Sequence, residues 1–257
     1  MNPDAAGALV TPVWPAPARV HAQVTTRRLP GVSQPPFDAF NLGLRCGEDA
    51  VTVHANRALL ERAFALPSAP RWLRQVHGTR SVRITEETHD EEPEADAAFT
   101  RQPGVVLAIL SADCLPILLC AEDGGEIAAI HAGWRGLAAG VIEACVQRLA
   151  TPPGQLFAWL GPAIGPHSYE VGDEVRAAFI AHTDAATAAF AATRPDHWQC
   201  DLYALARQRL HALGVARTFG GDFDTRTDVR FYSFRRDGAR SGRFASMIWL
   251  EPAAAAA

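Results

Sequence analysis

VVLAILSADCLPILLCAEDGGEIAAIHAGWRGLAAGV, residues 105–141, decides the class of fold. Val105–Leu110 is a continuous apolar run without polar alternation, which reads as a strand buried on both faces. Ile117–Ala121 and Glu126–Ile130 flank Asp123-Gly124-Gly125, a turn signal that closes an antiparallel hairpin. The strand running into His131 gives way, through the small residues Gly133 and Gly136, to an amphipathic helix expected over Leu137–Leu149. That helix is stopped by Thr151-Pro152-Pro153-Gly154. A hairpin beside a strand-to-helix connection points to a mixed sheet carrying helices rather than to a strict βαβ repeat.

The same mixture extends in both directions. Upstream, Val20–Thr26 reads as a strand and RLPGVSQPPFDAFNLG, residues 28–43, as a long ordered loop rich in turn formers. Asp49–Leu66 reads as a helix, with Val53, Leu59, Leu60 and Phe64 at helical spacing. Trp72–Val76 and Ser81–Thr85 read as strands around the turn His77-Gly78-Thr79. EETHDEEPE, residues 86–94, reads as a solvated acidic loop. Downstream, Phe157–Leu160, Val215–Phe219 and Phe244–Leu250 read as strands, Val171–His182 and Asp201–Leu213 as helices. GPAIGP, residues 161–166, is a stiff loop. No repeat and no break in composition divides the chain. One domain is therefore expected over residues 1–257, with 1–18 and 252–257 peripheral or frayed.

Composition removes several classes of function. The 257 residues are 48% hydrophobic and 20% charged, with net charge −4, an ordinary globular balance that can bury a sizeable core. Without a basic excess, neither nucleic acid nor a membrane surface is an expected partner. No apolar run approaches the roughly 20 residues a membrane-spanning helix needs. All 24 basic residues are Arg, so Schiff-base, P-loop and general-base lysine chemistry are excluded. The five cysteines, Cys46, Cys114, Cys120, Cys145 and Cys200, are scattered and contain no CxxC. They read as reduced thiols of a cytoplasmic protein, and the N-terminus has no basic-then-apolar leader pattern. No GxGxxG follows a strand and no GxSxG is present, so dinucleotide and α/β-hydrolase readings lack their motifs.

The chemistry concentrates in His77, Cys114 and His131, in the strings QVHG, SADCLP and HAGWRG. Each stands where a strand gives way to a turn, and strand ends converge at one rim of a sheet. One thiolate and two imidazoles suit zinc, with copper as the alternative. Three protein ligands leave a coordination position open, the pattern of a catalytic site. Next to His131, the turn with Gly133 and Gly136 opens a helix and carries Arg135, a combination suited to an anion. FYSFRRDGARSGR, residues 231–243, places Arg235, Arg236, Arg240 and Arg243 near Phe231, Tyr232 and Phe234, guanidinium beside ring. Asp113 and Glu170 are the carboxylates expected to serve acid–base chemistry. Asp96 is given a surface or capping role.

These strings also occur together elsewhere. QVHG (75–78), ADCLP (112–116), HAGWRGLAAGV (131–141), GPAIGP (161–166) with YEVG (169–172), and FRRD through IWL (234–250) resemble the YfiH, or laccase-domain, family. With FNLG (40–43) and CGED (46–49) the resemblance spans nearly the whole chain. It implies an α+β fold: a single-domain, three-layer α/β/α sandwich with a mixed β-sheet. It implies a purine nucleoside phosphorylase that converts adenosine, inosine, guanosine and 5′-methylthioadenosine with phosphate, and has adenosine deaminase side activity. It implies zinc held by His77, Cys114 and His131. On that reading Arg135, with Arg28, Arg235 and Arg243, holds phosphate and substrate, and the protein acts as a cytoplasmic monomer. Two other labels attach to the family, a copper-dependent polyphenol oxidase and a peptidoglycan-editing factor acting on cytoplasmic wall precursors. The chain departs from the family pattern at Arg28-Leu29-Pro30-Gly31-Val32-Ser33, where Pro30 replaces a glycine, and at Asp224-Thr225, where Cys-Thr is usual.

Overall fold

In the computed structural model, residues 7–88 and 92–251 are described. The outermost tails and the middle of the expected acidic loop, residues 89–91, lie outside them. Along the chain the strands and α-helices run β1 (Leu9–Val10), β2 (Val20–Thr25), α1 (Ala50–Phe64), β3 (Ser81–Arg83), β4 (Ala97–Thr100), β5 (Val106–Ser111), β6 (Leu115–Ala121) and β7 (Ile127–Ala132). Then come α2 (Trp134–Ala139), α3 (Val141–Val146), β8 (Leu156–Leu160), β9 (Glu170–Gly172), α4 (Asp173–Ile180), β10 (Phe190–Arg194) and β11 (His197–Cys200). The chain closes with α5 (Leu202–Ala212), β12 (Arg217–Gly220), α6 (Phe234–Asp237) and β13 (Phe244–Leu250).

Strand alternation sorts these elements into layers. A six-stranded sheet, ordered β12-β8-β6-β7-β4-β3, is mixed, because β12/β8 and β3/β4 are parallel and the other pairs antiparallel. On one of its faces Ile117, Leu119, Ala128, Ile130 and Ala158 pack against Leu137, Ile142, Cys145, Leu205 and Leu210 of the helices. Its other face, with Leu118, Cys120, Ile127, Ala129 and Trp159, meets Val24, Leu107, Ile109 and Ile248. Those residues belong to a second, antiparallel sheet ordered β1-β2-β13-β5. The far side of that sheet, through Val106, Ala108, Met247 and Trp249, carries Leu59, Leu60 and Phe64 of α1. The expected α/β/α sandwich is thus present, with its β layer made of two sheets face to face. Burial is unbroken along β6, β7 and β8, because both faces of each are covered, which is why they read as continuous apolar runs.

Five details differ from the reading of the sequence, each for a physical reason. The helix expected over Leu137–Leu149 begins at Trp134 and divides at Gly140, whose φ of 98° ends α2 and restarts the chain as α3. Trp72–Val76 is extended but makes only the isolated bridges Arg71↔Leu107 and Arg74↔Glu94. Beyond them the Gln75 amide replaces a ladder, donating to Leu110 O at 2.8 Å and accepting from Leu110 N–H at 2.9 Å. The helix expected at Val171 begins at Asp173, because Glu170–Gly172 first pairs with β11. The arginine-rich segment 231–243 turns through α6, capped by Ser233 accepting from Arg236 N–H at 3.2 Å. Strand β4 escapes notice because Ala97 and Ala98 carry little strand propensity, yet all four of its residues are buried.

Gly140 offers a test of the divided helix. An added Cβ would sit 3.5 Å from Glu143 Oε2, so space is available and conformation dominates. Gly140→Ala is expected to lower unfolding free energy by about 1–2 kcal/mol, the cost of left-handed backbone for a residue with a side chain. Chemical denaturation measures it.

Candidate metal centre

The sheet topology gathers five chain segments at one rim. Cys114 lies just before β6, and His131 lies near the end of its partner β7, where Pro116 pairs with His131. Asp96 immediately precedes β4, which runs antiparallel to β7. The QVHG string precedes β3, and the loop after β8 returns over the same edge. The ligand atoms of His77, Cys114 and His131 all lie within 4.8 Å of one another. Cys114 Sγ stands 3.7 Å from His77 Nε2, and the two imidazoles meet edge to face with centroids 4.8 Å apart.

These donors fit a metal ion. Bonds of about 2.3 Å to sulfur and 2.0–2.1 Å to nitrogen, meeting at a tetrahedral angle, place the two atoms roughly 3.6 Å apart. Gly133 keeps the space open, since a Cβ there would fall 2.7 Å from His77 Cδ2 and 3.0 Å from Cys114 Sγ. Gly136 does the same for the backbone; its missing Cβ would lie 2.8 Å from Gly78 O. His131 is buried and its Nδ1 lies 2.8 Å from Asp96 Oδ1, which leaves Nε2 for the centre.

Electrostatics follow from the same contacts. Burial would raise the Cys114 thiol, but the charge of His131 and hydrogen bonds from His131 and His77 overcome it and bring the group down to about 6. Burial would lower His131, but Cys114 and Asp96 hold it up, to about 9. Asp96 is pushed up by burial and held below the usual carboxylate range by His131 and the amides of Gly78 and Val76. Without a metal, the centre is therefore a thiolate facing an imidazolium near neutral pH. Cys120 and Cys145, buried away from such partners, are pushed up to about 12.

The trio lies in a cavity of about 510 Å³, which brings together most of the residues expected to contact substrate. Arg135, Arg235 and Arg243 line it, and none of the three has a carboxylate partner among the described residues. Arg135 lies over Trp134 and Arg235 over Tyr169, with guanidinium carbons 4.4 and 5.1 Å from the ring centroids. Arg243 is anchored by donating to Gly242 O at 2.9 Å. Asp113 also lines the cavity, but Thr225 Oγ1 and the Arg235 N–H donate to its two oxygens, each at 2.6 Å.

Two expected residues stand apart. The Glu170 carboxylate is turned to Arg194 and Thr193, each contact 2.8 Å, and only its carbonyl reaches this neighbourhood, accepting from Arg235. Arg28 is exposed on the loop side near Asp228 and does not line the cavity. The half-exposed Phe234, singled out with its neighbouring arginines, lines the cavity, whereas the sequence reading missed Arg45, Trp134 and Tyr169 as lining groups. FNLG and CGED flank Arg45, and YEVG contains Tyr169, so proximity to those strings was their available signal. At the departure from the family pattern, Asp224 braces the loop after β8, accepting from Gly165 N–H at 3.0 Å and Ser168 Oγ at 2.5 Å.

Comparison with known proteins adds relatives across the whole fold. The family described as multi-copper polyphenol oxidoreductase laccase matches residues 21–251. A Pseudomonas aeruginosa protein named purine nucleoside phosphorylase is 51% identical over 247 residues, covering 95% of this chain and 99% of its own. An Escherichia coli protein named purine nucleoside phosphorylase YfiH is 49% identical over 243 residues, covering 94% and 98%. Among solved structures, a Neisseria meningitidis protein superposes with a TM-score of 0.90 at 40% identity, covering 95% of this chain and 99% of its own. A Bacillus licheniformis hypothetical protein YfiH gives a TM-score of 0.85 at 27% identity, covering 90% and 93%.

The thiolate predicts a distinctive reactivity. In chelator-treated protein, the rate of alkylation at Cys114 should rise with pH through about 6, where the thiolate forms. Cys120 and Cys145 should stay unreactive at neutral pH. Peptide mass mapping after brief iodoacetamide treatment measures this, and added zinc should protect Cys114.

Proposed function

The chain belongs to the multi-copper polyphenol oxidoreductase laccase family, and on that premise we propose that it is a zinc-dependent purine nucleoside phosphorylase with adenosine deaminase side activity. The observation that carries this reading is three carboxylate-free guanidiniums, Arg135, Arg235 and Arg243, in one cavity with the His77–Cys114–His131 group. A cavity that takes a purine nucleoside must also hold a phosphate dianion beside it, and arginine forks match phosphate oxygens.

In phosphorolysis the C1′–N9 bond breaks, its electron pair leaves on the purine, and a phosphate oxygen bonds C1′. Arg135, Arg235 and Arg243 hold the attacking phosphate and offset its charge. Leu73, Leu110, Ile164, Trp134, Tyr169 and Phe234 supply apolar and aromatic wall for base and sugar. His77, Cys114 and His131 would hold a zinc ion, which would supply Lewis acidity useful both to a departing base and to deamination, in which water adds at C6 of adenine and ammonia leaves. Asp113 keeps the Arg235 backbone and the Cys114 turn in register through its two short contacts.

A copper polyphenol oxidase is less well supported by the ligands. Such chemistry uses several copper centres, whereas one metal-sized group of donors is found among the described residues. A cytoplasmic location goes with this reading, because purine nucleosides are made inside the cell.

Purified protein incubated with adenosine should yield adenine only when phosphate is present, together with inosine or hypoxanthine from deamination, resolved by chromatography. Cys114→Ala should lose both activities along with bound metal; phosphorolysis retained by the metal-free variant contradicts the reading. Arg135→Met should raise KM for phosphate by roughly 10–100-fold, the worth of a charged hydrogen bond.

A further inference from the structure

One buried carboxylate beside the centre has no part in the chemistry above. Asp96 is fully buried, and four donors converge on it. Oδ1 accepts from the His77 N–H at 2.9 Å and from His131 Nδ1 at 2.8 Å. Oδ2 accepts from the Gly78 N–H at 2.7 Å and the Val76 N–H at 3.2 Å. The backbone adds a fifth link, His131 N–H donating to Asp96 O at 2.7 Å. An ionised carboxylate offers about four lone-pair sites, so Asp96 has none left for a metal.

We propose that Asp96 is the positioning residue of the centre, a single carboxylate that sets His77 and His131 in ligating geometry before an ion arrives. This inference rests on the metal-binding reading of His77, Cys114 and His131. On the His131 side, the contact keeps a proton on Nδ1 and turns Nε2 to the cavity, so Nε2 is the nitrogen that gives up its proton when an ion binds. On the His77 side, three successive amides wrap the same carboxylate and hold His77 at φ 60°. A residue with a side chain takes up that left-handed conformation only where its surroundings hold it. The two histidines are 54 positions apart in sequence, yet neither can shift without disturbing the group that holds the other. No arginine pairs with Asp96 among the described residues, so its charge faces the centre alone. With a Cys114 thiolate it brings two negative charges, the number that neutralises a divalent ion.

Asparagine is not a neutral replacement here, because its NH2 group would confront two of the four donors. The test is zinc titration of the full chain against a competing chelating dye, for wild type, Asp96→Asn and, as control, the exposed hairpin variant Asp123→Asn. Asp96→Asn should weaken zinc binding by roughly 10–100-fold, while Asp123→Asn matches wild type. Binding by a folded Asp96→Asn protein within twofold of wild type overturns the proposal. Should that variant fail to fold, nitrogen-15 NMR of zinc-loaded wild type decides: the proposal requires zinc on His131 Nε2 and a proton on Nδ1. The reverse assignment overturns it. If wild type itself binds no zinc, the metal reading falls, and Asp96 with it; if only the Asp96 effect is missing, the metal reading stands.

Discussion

The antiparallel pairing of β6 with β7 sets Leu115 opposite Ala132 and Pro116 opposite His131, and with them the position of the whole centre. Both strands are buried over their full length, so their register is fixed by two apolar faces at once. A slip of one residue would exchange the faces of every side chain, putting His131 among the helix contacts and Ile130 between the sheets. The pairing of β7 with β4 brings in Asp96, and the parallel pair β4/β3 brings the QVHG turn behind it. Each ligand thus inherits its place from a ladder whose register the core specifies, which is how groups remote in sequence reach bonding distance.

Charge at this rim is managed differently from charge elsewhere on the chain. Most ion pairs, such as Arg74–Glu94 and Arg194–Glu170, are half-exposed and contribute little. The half-buried Cys114 and the buried His131 and Asp96 form instead a chain in which each stabilises the charge of the next against desolvation. The arrangement is costly for folding alone and suited to a cation. The guanidiniums of Arg135, Arg235 and Arg243 line the same cavity, so one compartment brings three positive groups beside a donor set suited to a metal.

Much of this was legible in the sequence because it depends on short-range pattern. Continuous apolar runs marked the double-faced strands, Asp123-Gly124-Gly125 marked the hairpin, and three strand-end strings marked the donors that the fold brings together. What escaped depends on contacts between distant residues. Asp96 looked like an ordinary surface acid because its donors are at Val76–Gly78 and His131, on other elements. Gln75 looked like one more residue of a strand, though its side chain does the pairing. Glu170 lies in the YEVG string, yet Arg194, from a hairpin the pattern did not reveal, takes its carboxylate. Arg28 follows the same logic, since its loop folds toward Asp228 rather than the cavity.

The account stands or falls on what occupies the three donors. Protein purified without added metal, measured by elemental analysis and by X-ray absorption at the zinc and copper edges, addresses this directly. The prediction is about one zinc per chain, with one sulfur neighbour near 2.3 Å and two nitrogens near 2.0–2.1 Å. Copper as the bound metal, or a zinc shell without sulfur, would contradict it.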